Sequence, residues 1–379
     1  MRHLLCCLTL LLLYACRPAA APPSVGEEAR PLLHYAALLQ MEETDSFCLV
    51  TVRNAWKRDL TQAAYVLVAA DRPLPARLPE GQVVRTPLRH AALLSAVHAA
   101  LLLDLQAGPC SAAVADPAYV VSPQLRRLCR SQAASLGSSL SPDLEALRAA
   151  ACDVVLASPF ENAGHGALER LDIPLIVCAD YMETSPLGRA EWMRFYGRLF
   201  GKAAEADSLF AATARRYKAL QRQAKQAPAP RPTVFCDLCT GATWYQPGGA
   251  STMGRFLTDA GADYLWADRP ESGSIALDLE AVYAKARQAD LWLVKHGSAA
   301  DLTYESLAAD CPAARQFKAW QTRRVWQCNT LSVPFYEEVP FHPDRLLRQL
   351  VGIFHPQLKL PPAPPGQPDY YTPMPPPRP

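Results

Sequence analysis

The segment from Thr184 to Gln226 constrains the fold of this chain more than any other. It reads TSPLGRAEWMRFYGRLFGKAAEADSLFAATARRYKALQRQAKQ and is the only long run of helical periodicity in the 379 residues. Ser185 suits a helix cap, and Pro186 suits the first helical position because its missing N–H needs no partner there. Short strands alternate with helices on both sides of this run. The sequence therefore predicts two α/β lobes joined by a long helix.

Gly201 divides the central run into two predicted helices. Apolar residues recur at about helical spacing, and Arg and Lys occupy the other face. Because a glycine costs about 1 kcal/mol in a helix interior, we predict helices over about 186–200 and 204–225. The second, about 30 Å long at ~1.5 Å per residue, is the expected rod between the lobes. A stiff connector of this kind predicts only a small closure when a ligand binds.

The N-terminus predicts export and a lipid anchor. A positive start leads into an apolar run from Leu4 to Leu13, which is too short to span a bilayer but suits a signal peptide over residues 1–15. The sequence LYAC that ends at Cys16 resembles a bacterial lipobox, so we predict acylation of Cys16 and a location on the periplasmic side of a bacterial membrane. An ordinary signal peptide with an incidental cysteine is the alternative. We expect the lipidated cysteine and a flexible tether to occupy residues 16–47.

Composition and cysteine usage narrow the function classes. Half of the residues are apolar, and the formal net charge is +2, which gives no support to a nucleic-acid partner. Nine cysteines follow Cys16, an odd number without regular spacing, which argues against a disulfide framework. Cys236 and Cys239 have the spacing of a redox CxxC motif, but they lie on a predicted strand rather than at a helix start. A structural role is the favoured interpretation for them.

Alternating strands and helices predict a parallel, helix-covered sheet in each lobe. Before the central run, FCLVTVRN and AYVLVA predict a strand pair and residues 89–107 an apolar helix. The remaining predicted strands are 112–116, 152–158, 174–180, 233–239, 291–297 and 323–328, and the remaining predicted helices are 141–150, 163–171, 252–260, 279–289 and 343–354.

These elements predict an α/β protein with two Rossmann-like lobes. The N-terminal lobe is expected over residues 48–185, the helical segment over 186–226 and the C-terminal lobe over 227–358. Ten of the last nineteen residues are proline, so we predict a disordered or polyproline-like tail over 359–379.

Familiar catalytic and metal-binding signatures do not occur in the sequence. It contains no GxSxG, HExxH or GxGxxG motif. The eight histidines are scattered, with no pair at helical metal-ligand spacing. We therefore predict that the protein is not an enzyme, and we nominate no catalytic residue, metal ligand or cofactor.

Four segments resemble the iron-siderophore/cobalamin type of ABC-transporter substrate-binding protein. They are GRAEWMRFYGRLFGK (188–202), TWYQPGGASTMGRFLTDAGADYLW (243–266), LDLEAVYAKARQADLWLV (277–294) and HPDRLLRQLVGIFHPQL (342–358). The resemblance covers about 85–357. It implies two α/β lobes on one long helix, a monomer, capture of a ferric siderophore, haem or cobalamin, and delivery of that ligand to a membrane permease.

The resemblance also implies two glutamates that dock onto arginines of the permease. SPDLEALRAAACDVVLA places Glu145 in this position in the N-terminal lobe, where Asp143 competes for the role, and LDLEAVYAKARQADLWLV places Glu280 in the C-terminal lobe. Two separated carboxylates facing arginines fix orientation and speed encounter. The alternative is that both are ordinary first-turn acids favoured by the helix dipole.

The ligand is expected between the lobes, at the carboxyl ends of the strands, where open α/β sheets bind ligands. Aromatic residues suit a flat macrocycle or a catecholate, and Arg and Lys suit an anionic chelate. His296 follows a strand and could ligate haem iron or corrinoid cobalt, although a lone histidine more often completes a hydrogen-bond network. The predicted cleft residues are Arg85, Tyr119, Phe160, Tyr181, Trp244, Tyr245, Lys295, His296 and Tyr336, with Asp116, Ser158, Thr243 and Phe335 beside them.

Two other function classes remain open from the sequence. A metal-chelate-handling enzyme, such as a chelatase, could occupy the same scaffold, but it requires an acid–base pair that we cannot nominate. A structural surface lipoprotein could use the proline-rich tail. Binding without change to the ligand separates the first alternative from the leading hypothesis.

Overall fold

The structure is a computed structural model that describes residues 29–161, 163–241 and 243–375. The predicted signal peptide and the lipobox cysteine Cys16 lie outside the described residues.

The described chain opens with a five-stranded sheet in the order β1-β2-β3-β4-β5. Its pairs are antiparallel except for β4 and β5, which are parallel. The predicted tether over 16–47 is wrong for the part described, because β1 and β2 belong to this sheet and Leu39 and Met41 are buried in the core. The strands are β1 (Arg30–Pro31), β2 (Leu39–Glu43), β3 (Cys48–Arg53), β4 (Thr61–Ala69) and β5 (Gln82–Thr86).

Two buried carboxylates hold the chain between β1 and β2. Glu191 accepts the backbone N–H groups of His34, Tyr35 and Ala36 at 2.6–3.0 Å. Glu183 accepts the N–H of Leu38 at 2.8 Å and the indole N–H of Trp192 at 3.0 Å. A carboxylate that accepts several backbone donors is satisfied without a cation. The connection is therefore fixed against the start of the central helices.

The N-terminal lobe contains a parallel sheet in the order β12-β11-β6-β7-β8. The predicted helix over 89–107 is wrong in its first part, which is the buried strand β6. A short apolar run buried on both faces has no periodicity that separates a strand from a helix. The elements are β6 (Ala91–Leu93), α1 (Ala96–Asp104), β7 (Ser111–Val114), α2 (Pro123–Ser131), β8 (Ala134–Ser135), β9 (Gly137–Ser138), β10 (Ser141–Pro142), α3 (Leu144–Ala149), β11 (Val154–Ala157) and β12 (Leu175–Val177).

Three helices follow: α4 (Pro186–Glu191), α5 (Met193–Leu199) and the 23-residue α6 (Ala203–Lys225). Ser185 caps α4 through the N–H of Gly188, as predicted. Gly201 separates α5 from α6 with φ +67°, and an added Cβ would lie 3.0 Å from Cβ of Pro87. Within the described ranges, neither α6 nor any other helix combines the length and the apolar character of a membrane span.

The C-terminal lobe repeats the parallel arrangement in a sheet ordered β16-β13-β18-β19-β20, with β20 antiparallel at the edge. A separate antiparallel sheet, β14-β15-β17, lies beside it. The elements are β13 (Thr233–Cys236), β14 (Cys239–Thr240), β15 (Thr243–Pro247), α7 (Thr252–Asp259), β16 (Asp263–Tyr264), β17 (Ser274–Asp278), α8 (Leu279–Ala286), β18 (Leu291–His296), α9 (Tyr304–Asp310), α10 (Lys318–Gln321), β19 (Val325–Asn329), α11 (Phe335–Glu338), α12 (Pro343–Phe354) and β20 (Thr372–Pro373).

The predicted disorder of the proline-rich tail is wrong for residues 370–374. Tyr370 and Tyr371 are buried, as is Met374, whose N–H donates to the carbonyl of Val325 at 2.9 Å. The phenol of Tyr370 donates to Glu338 at 2.9 Å. Proline content predicted disorder, but three side chains spaced along the segment bury enough apolar surface to order it.

Candidate ligand-binding cleft

A cavity of about 810 Å³ opens at the carboxyl ends of the N-lobe strands. Its walls come from the segments that follow β6, β7, β11 and β12 and from the β9–β10 hairpin, whereas α11 supplies Tyr336 and Glu337 from the other side. This is the edge at which parallel α/β sheets bind ligands. The volume lies in the range of small-molecule and cofactor sites, roughly 300–1,000 Å³.

Exposed apolar side chains concentrate around this cavity. Of ten large apolar side chains that are exposed in the described residues, five line it. They are Tyr119, Leu140, Phe160, Tyr181 and Tyr336. Clustered exposed apolar surface marks binding sites rather than chance exposure. Rings presented in this way suit a ligand with large flat or apolar faces.

Four of the predicted cleft residues therefore meet at one cavity, namely Tyr119, Phe160, Tyr181 and Tyr336. The accompanying residues Asp116 and Ser158 line it as well. Asp116 adopts the left-handed conformation (φ 53°) directly after β7, which Asp tolerates better than most residues. Its carboxylate accepts the N–H of Ser139 at 3.3 Å and so fixes the tip of the β9–β10 hairpin.

Lys295 lies apart from the main cavity, in a smaller neighbouring pocket that also contains Tyr336. It is the penultimate residue of β18, and its ammonium lies 5.5 Å from the ring centre of Phe335 and 5.9 Å from that of Tyr336. No Lys or Arg of the described chain lines the main cavity. The positive charge therefore lies in the smaller pocket, next to the larger cavity.

The placement of four predicted cleft residues is wrong. Arg85 belongs to β5 of the first sheet, where its guanidinium donates to the carbonyls of Ala70 and Arg72 at 2.8 and 2.6 Å. Trp244 is fully buried, and its indole N–H donates to the carbonyl of Cys236 at 2.8 Å. Arg85 and Trp244 lie in β5 and β15, and these strands do not end at the cavity.

Tyr245 and His296 also lie outside the lining of both pockets. Tyr245 is exposed on β15, the middle strand of the small antiparallel sheet. His296 is buried, with Nε2 3.1 Å from Oε1 of Gln327. Burial lowers the pKa of His296. His296 thus takes part in a hydrogen bond, the alternative to metal ligation.

Sequence reasoning missed Glu337, which joins the two lobes across the cavity. Its carboxylate accepts the backbone N–H groups of Val121 and Ser122, at 2.9 Å for Ser122. These groups precede α2, so Glu337 binds the free donors at a helix start in the other lobe. Burial raises the pKa of Glu337, while the two donors act in the opposite direction. No local pattern signals a contact over more than two hundred residues of sequence.

His165 and Leu140 are further lining residues that the sequence did not indicate. Burial lowers the pKa of His165, which favours the neutral imidazole. Its Nε2 is buried without a hydrogen-bond partner in the described residues, and its ring centre lies 6.2 Å from that of Phe160. Burial also raises the pKa of the Tyr181 phenol, whose O–H donates to the carbonyl of Pro159 at 2.7 Å.

The two predicted docking glutamates occupy equivalent positions in the two lobes. Glu145 is exposed in the first turn of α3, and Glu280 is exposed in the first turn of α8. Asp143 caps α3 by accepting the N–H groups of Glu145 and Ala146 at 2.9 and 3.0 Å, and Asp278 caps α8 in the same way. Capping engages the Asp143 carboxylate at its own helix, which leaves the Glu145 side chain the freer of the two.

The described residues hold no group of three or more His, Cys, Asp or Glu side chains arranged for a metal ion. Their nine cysteines are free. Cys236 of the CxxC motif is buried, and burial raises the pKa of its thiol well above the ordinary value. A thiol held in its protonated form is a poor nucleophile.

Comparison with known proteins agrees with this geometry. Residues 92–330 match the family described as periplasmic binding protein. An uncharacterised lipoprotein of Methanocaldococcus jannaschii is 23% identical over 314 residues, which are 79% of this chain and 74% of that protein.

Solved structures share the fold. An ABC-type Fe³⁺-hydroxamate transport protein from Saccharomonospora viridis superposes with a TM-score of 0.57 at 19% identity, covering 80% of this chain and 98% of that one. A periplasmic haem-binding protein from Pseudomonas aeruginosa gives 0.55 at 16% identity, covering 71% and 93%. Because the family match spans more than half of its length, this chain belongs to the periplasmic binding protein family, the solute-binding components of ABC transporters.

Proposed function

We propose that the protein captures an iron chelate (a ferric siderophore or haem) or cobalamin in the cleft and delivers it to an ABC permease. The observation that carries the proposal is the cavity of about 810 Å³ with its exposed rings Tyr119, Phe160, Tyr181 and Tyr336. Large aromatic walls suit the flat faces of a macrocycle or of catecholates. The fold shared with an Fe³⁺-hydroxamate and a haem-binding protein supports the same ligand class.

The central experiment is an absorption titration of the purified protein with haem, with cobalamin and with ferric siderophores, all of which are coloured. We expect one class to bind saturably, and a Tyr119→Ala/Phe160→Ala variant to bind it at least about tenfold more weakly, since each aromatic contact contributes about 0.5–1.5 kcal/mol beyond area burial. Tyr245→Ala is the matched control, because Tyr245 is also exposed but lies outside the cavity. Equal weakening by Tyr245→Ala, or binding of none of the three classes, would remove the proposal.

The same titration tests the enzymatic alternative. A binding protein returns its ligand unchanged, so we expect the extracted chelate to keep its spectrum and its metal after prolonged incubation. Release of free metal or of a metal-free ligand, with turnover, would instead indicate a chelatase-like activity.

Permease docking through Glu145 and Glu280 is part of the proposal. Both side chains are exposed, so the Glu145→Ala/Glu280→Ala variant is expected to keep its ligand affinity and to lose stimulation of the permease ATPase. Glu305→Ala is the control, because Glu305 is likewise an exposed first-turn glutamate, on α9. Full ATPase stimulation by the double variant would show that the two glutamates are ordinary helix-start acids.

The lipid anchor at Cys16 is proposed from the sequence and from the relationship to a lipoprotein. We expect labelled palmitate to enter the wild-type chain and not a Cys16→Ser variant. Equal labelling of both would contradict anchoring at this residue.

A further inference from the structure

A second, smaller pocket of about 160 Å³ lies beside the main cavity, and both are lined by Tyr336. It forms where α4, α7, the end of β18 and α11 meet. Most of its wall is apolar, from Pro186, Met253, Phe256, Phe335, Val339 and Pro340. Thr252, Tyr336 and two cations, Arg189 and Lys295, complete the lining. The positive charge of the site is thus concentrated here, next to a cavity whose lining includes no Lys or Arg of the described chain.

The ammonium group of Lys295 lies near the carboxylate of Asp237 but forms no direct ion pair with it. Among the described residues, no acceptor lies within hydrogen-bond or ion-pair distance of its Nζ, which faces the rings of Phe335 and Tyr336. Burial lowers the pKa of Lys295, but the nearby groups, of which Asp237 has the largest effect, together outweigh burial and raise it. The group is therefore charged at neutral pH. A partly buried charge without a hydrogen-bond acceptor is costly unless a ligand supplies one.

Arg189 presents a second set of unused donors. Its Nε donates to Oδ2 of Asp180 at 3.2 Å, and this buried carboxylate also accepts from Tyr196 and contacts His98. The guanidinium is thus held in place through one edge. Neither Nη has an acceptor among the described residues. A guanidinium fixed in this way presents a preorganised fork to a carboxylate or phosphate.

We propose that this pocket is an oxyanion subsite that takes a carboxylate or phosphate group between Lys295 and Arg189. Its volume of about 160 Å³, beside about 810 Å³ for the main cavity, suits one charged group on a short stem better than a whole chelate. The group either belongs to a side arm of the ligand in the main cavity, a reading that rests on the proposed function, or arrives as a free small anion.

The first arm of the test uses inorganic phosphate. Calorimetric titration of the ligand-free protein is expected to give saturable binding that Lys295→Met weakens at least about tenfold, since a charge-assisted hydrogen bond is lost. Lys285→Met is the matched control, because Lys285 also lies over an aromatic ring, 5.4 Å from the centre of Trp266, but outside the pocket. Circular dichroism checks that each variant is folded.

The second arm compares haem with haem dimethyl ester, in which the two carboxylates are neutralised. If the anion is a ligand arm, wild type and Lys285→Met prefer the free acid at least about tenfold, and Lys295→Met binds both forms within about twofold. Arg189→Lys is a further variant, which keeps the charge and removes the fork. It is expected to give an intermediate preference.

The outcomes separate the two sources and the two proposals. A Lys295-dependent response to phosphate alone identifies a free anion, and a Lys295-dependent response to haem alone identifies a ligand arm. No Lys295 dependence in either arm overturns the subsite, and the proposed function survives if the ester still binds. Phosphate binding that depends on Lys295, with no coloured chelate bound, keeps the subsite and overturns the proposed function.

Discussion

The two lobes share a parallel α/β sheet but are stabilised by different chemistry. In the N-lobe, the buried carboxylate of Asp180, which follows β12, contacts His98 at 3.0 Å, Tyr196 at 2.9 Å and Arg189 at 3.2 Å. The centre of the C-lobe contains an aromatic cluster instead, formed by Phe235, Trp244, Trp292 and Phe317, with ring centres 4.9–6.0 Å apart.

This difference parallels what each lobe presents to the cavity. The N-lobe presents rings to the cavity at Tyr119, Phe160 and Tyr181, and Asp180, the residue before Tyr181, belongs to a polar network that requires specific partners. The C-lobe keeps its largest rings inside and presents few to the cavity. A polar network fixes the positions of its side chains, and its contribution to stability depends on pH. Packed rings contribute to stability through close packing, which is lost when a substitution changes the side-chain volume. Substitutions in the two lobes should therefore lower the free energy of unfolding with different pH dependence.

The largest effect is expected from Trp292→Ala in the C-lobe. Trp292 is fully buried and stacks on Phe235 at 4.9 Å, so truncation should lower the free energy of unfolding by about 3–5 kcal/mol. Urea denaturation followed by circular dichroism measures this loss, which should be the same at about pH 5 and about pH 7 because no ionisable group is removed. A pH-dependent loss would contradict the contrast between the lobes.

Asp180→Asn tests the polar network of the N-lobe and should lower the free energy of unfolding by about 2–3 kcal/mol at neutral pH. Burial raises the pKa of Asp180, but His98, Arg189 and Tyr196 outweigh this and lower it. The carboxylate therefore contributes stability above its unfolded pKa of about 3.9, and this contribution is lost as the pH falls through the lower folded pKa. Denaturation midpoints between about pH 2 and pH 7 should converge for wild type and variant at the acid end. Parallel curves would contradict this role.

Ending the chain after Pro368 should lower C-lobe stability by about 1–2 kcal/mol, since the burial of Tyr370, Tyr371 and Met374 is offset by the entropy of ordering them. Ligand affinity should also fall, because Tyr370 contacts Phe335 and Glu338 of α11, the helix whose Tyr336 and Glu337 line the cavity. Thr372→Ala, in the same strand but exposed, is the control. Unchanged stability and affinity on truncation would show that the tail supports neither the C-lobe nor the ligand site.

The smallest stability effect is expected from Tyr119→Ala, which should change the free energy of unfolding by less than about 0.5 kcal/mol. Its side chain is 71% exposed, so little packing is lost. The same variant should weaken the coloured ligand several-fold in the absorption titration. A large loss of stability without a loss of affinity would show that this ring supports the loop rather than the ligand.

The sequence predicted the fold wherever periodicity was long enough to read. The helical run broke at Gly201 as expected, and the strands at β7, β11, β12, β13, β18 and β19 lie where apolar runs placed them. At Ala91–Leu93 the apolar run was too short to distinguish the strand from a helix. At Tyr370 and Tyr371 the proline-rich composition predicted disorder, but both side chains are buried.

The site was harder to predict because it depends on which strands share a sheet. Tyr119 and Phe160 follow strands of the sheet that ends at the cavity, whereas Arg85 lies in a strand of another sheet. Trp244 has the composition of a cleft residue but packs inward. Glu337 meets Val121 and Ser122 only through tertiary folding, for which one sequence carries no local signal.

The short strand β20 also has a consequence for solubility. It covers the edge of β19, pairing Pro373 with Trp326 and Thr372 with Gln327. Thr372 and Met374 alternate with Pro373, and the N–H of Met374 points inward to Val325. The position whose N–H would face outward is thus occupied by a residue that has none. A further strand, from another copy of the chain, finds no donor at Pro373, so this edge of the C-lobe sheet resists edge-to-edge aggregation.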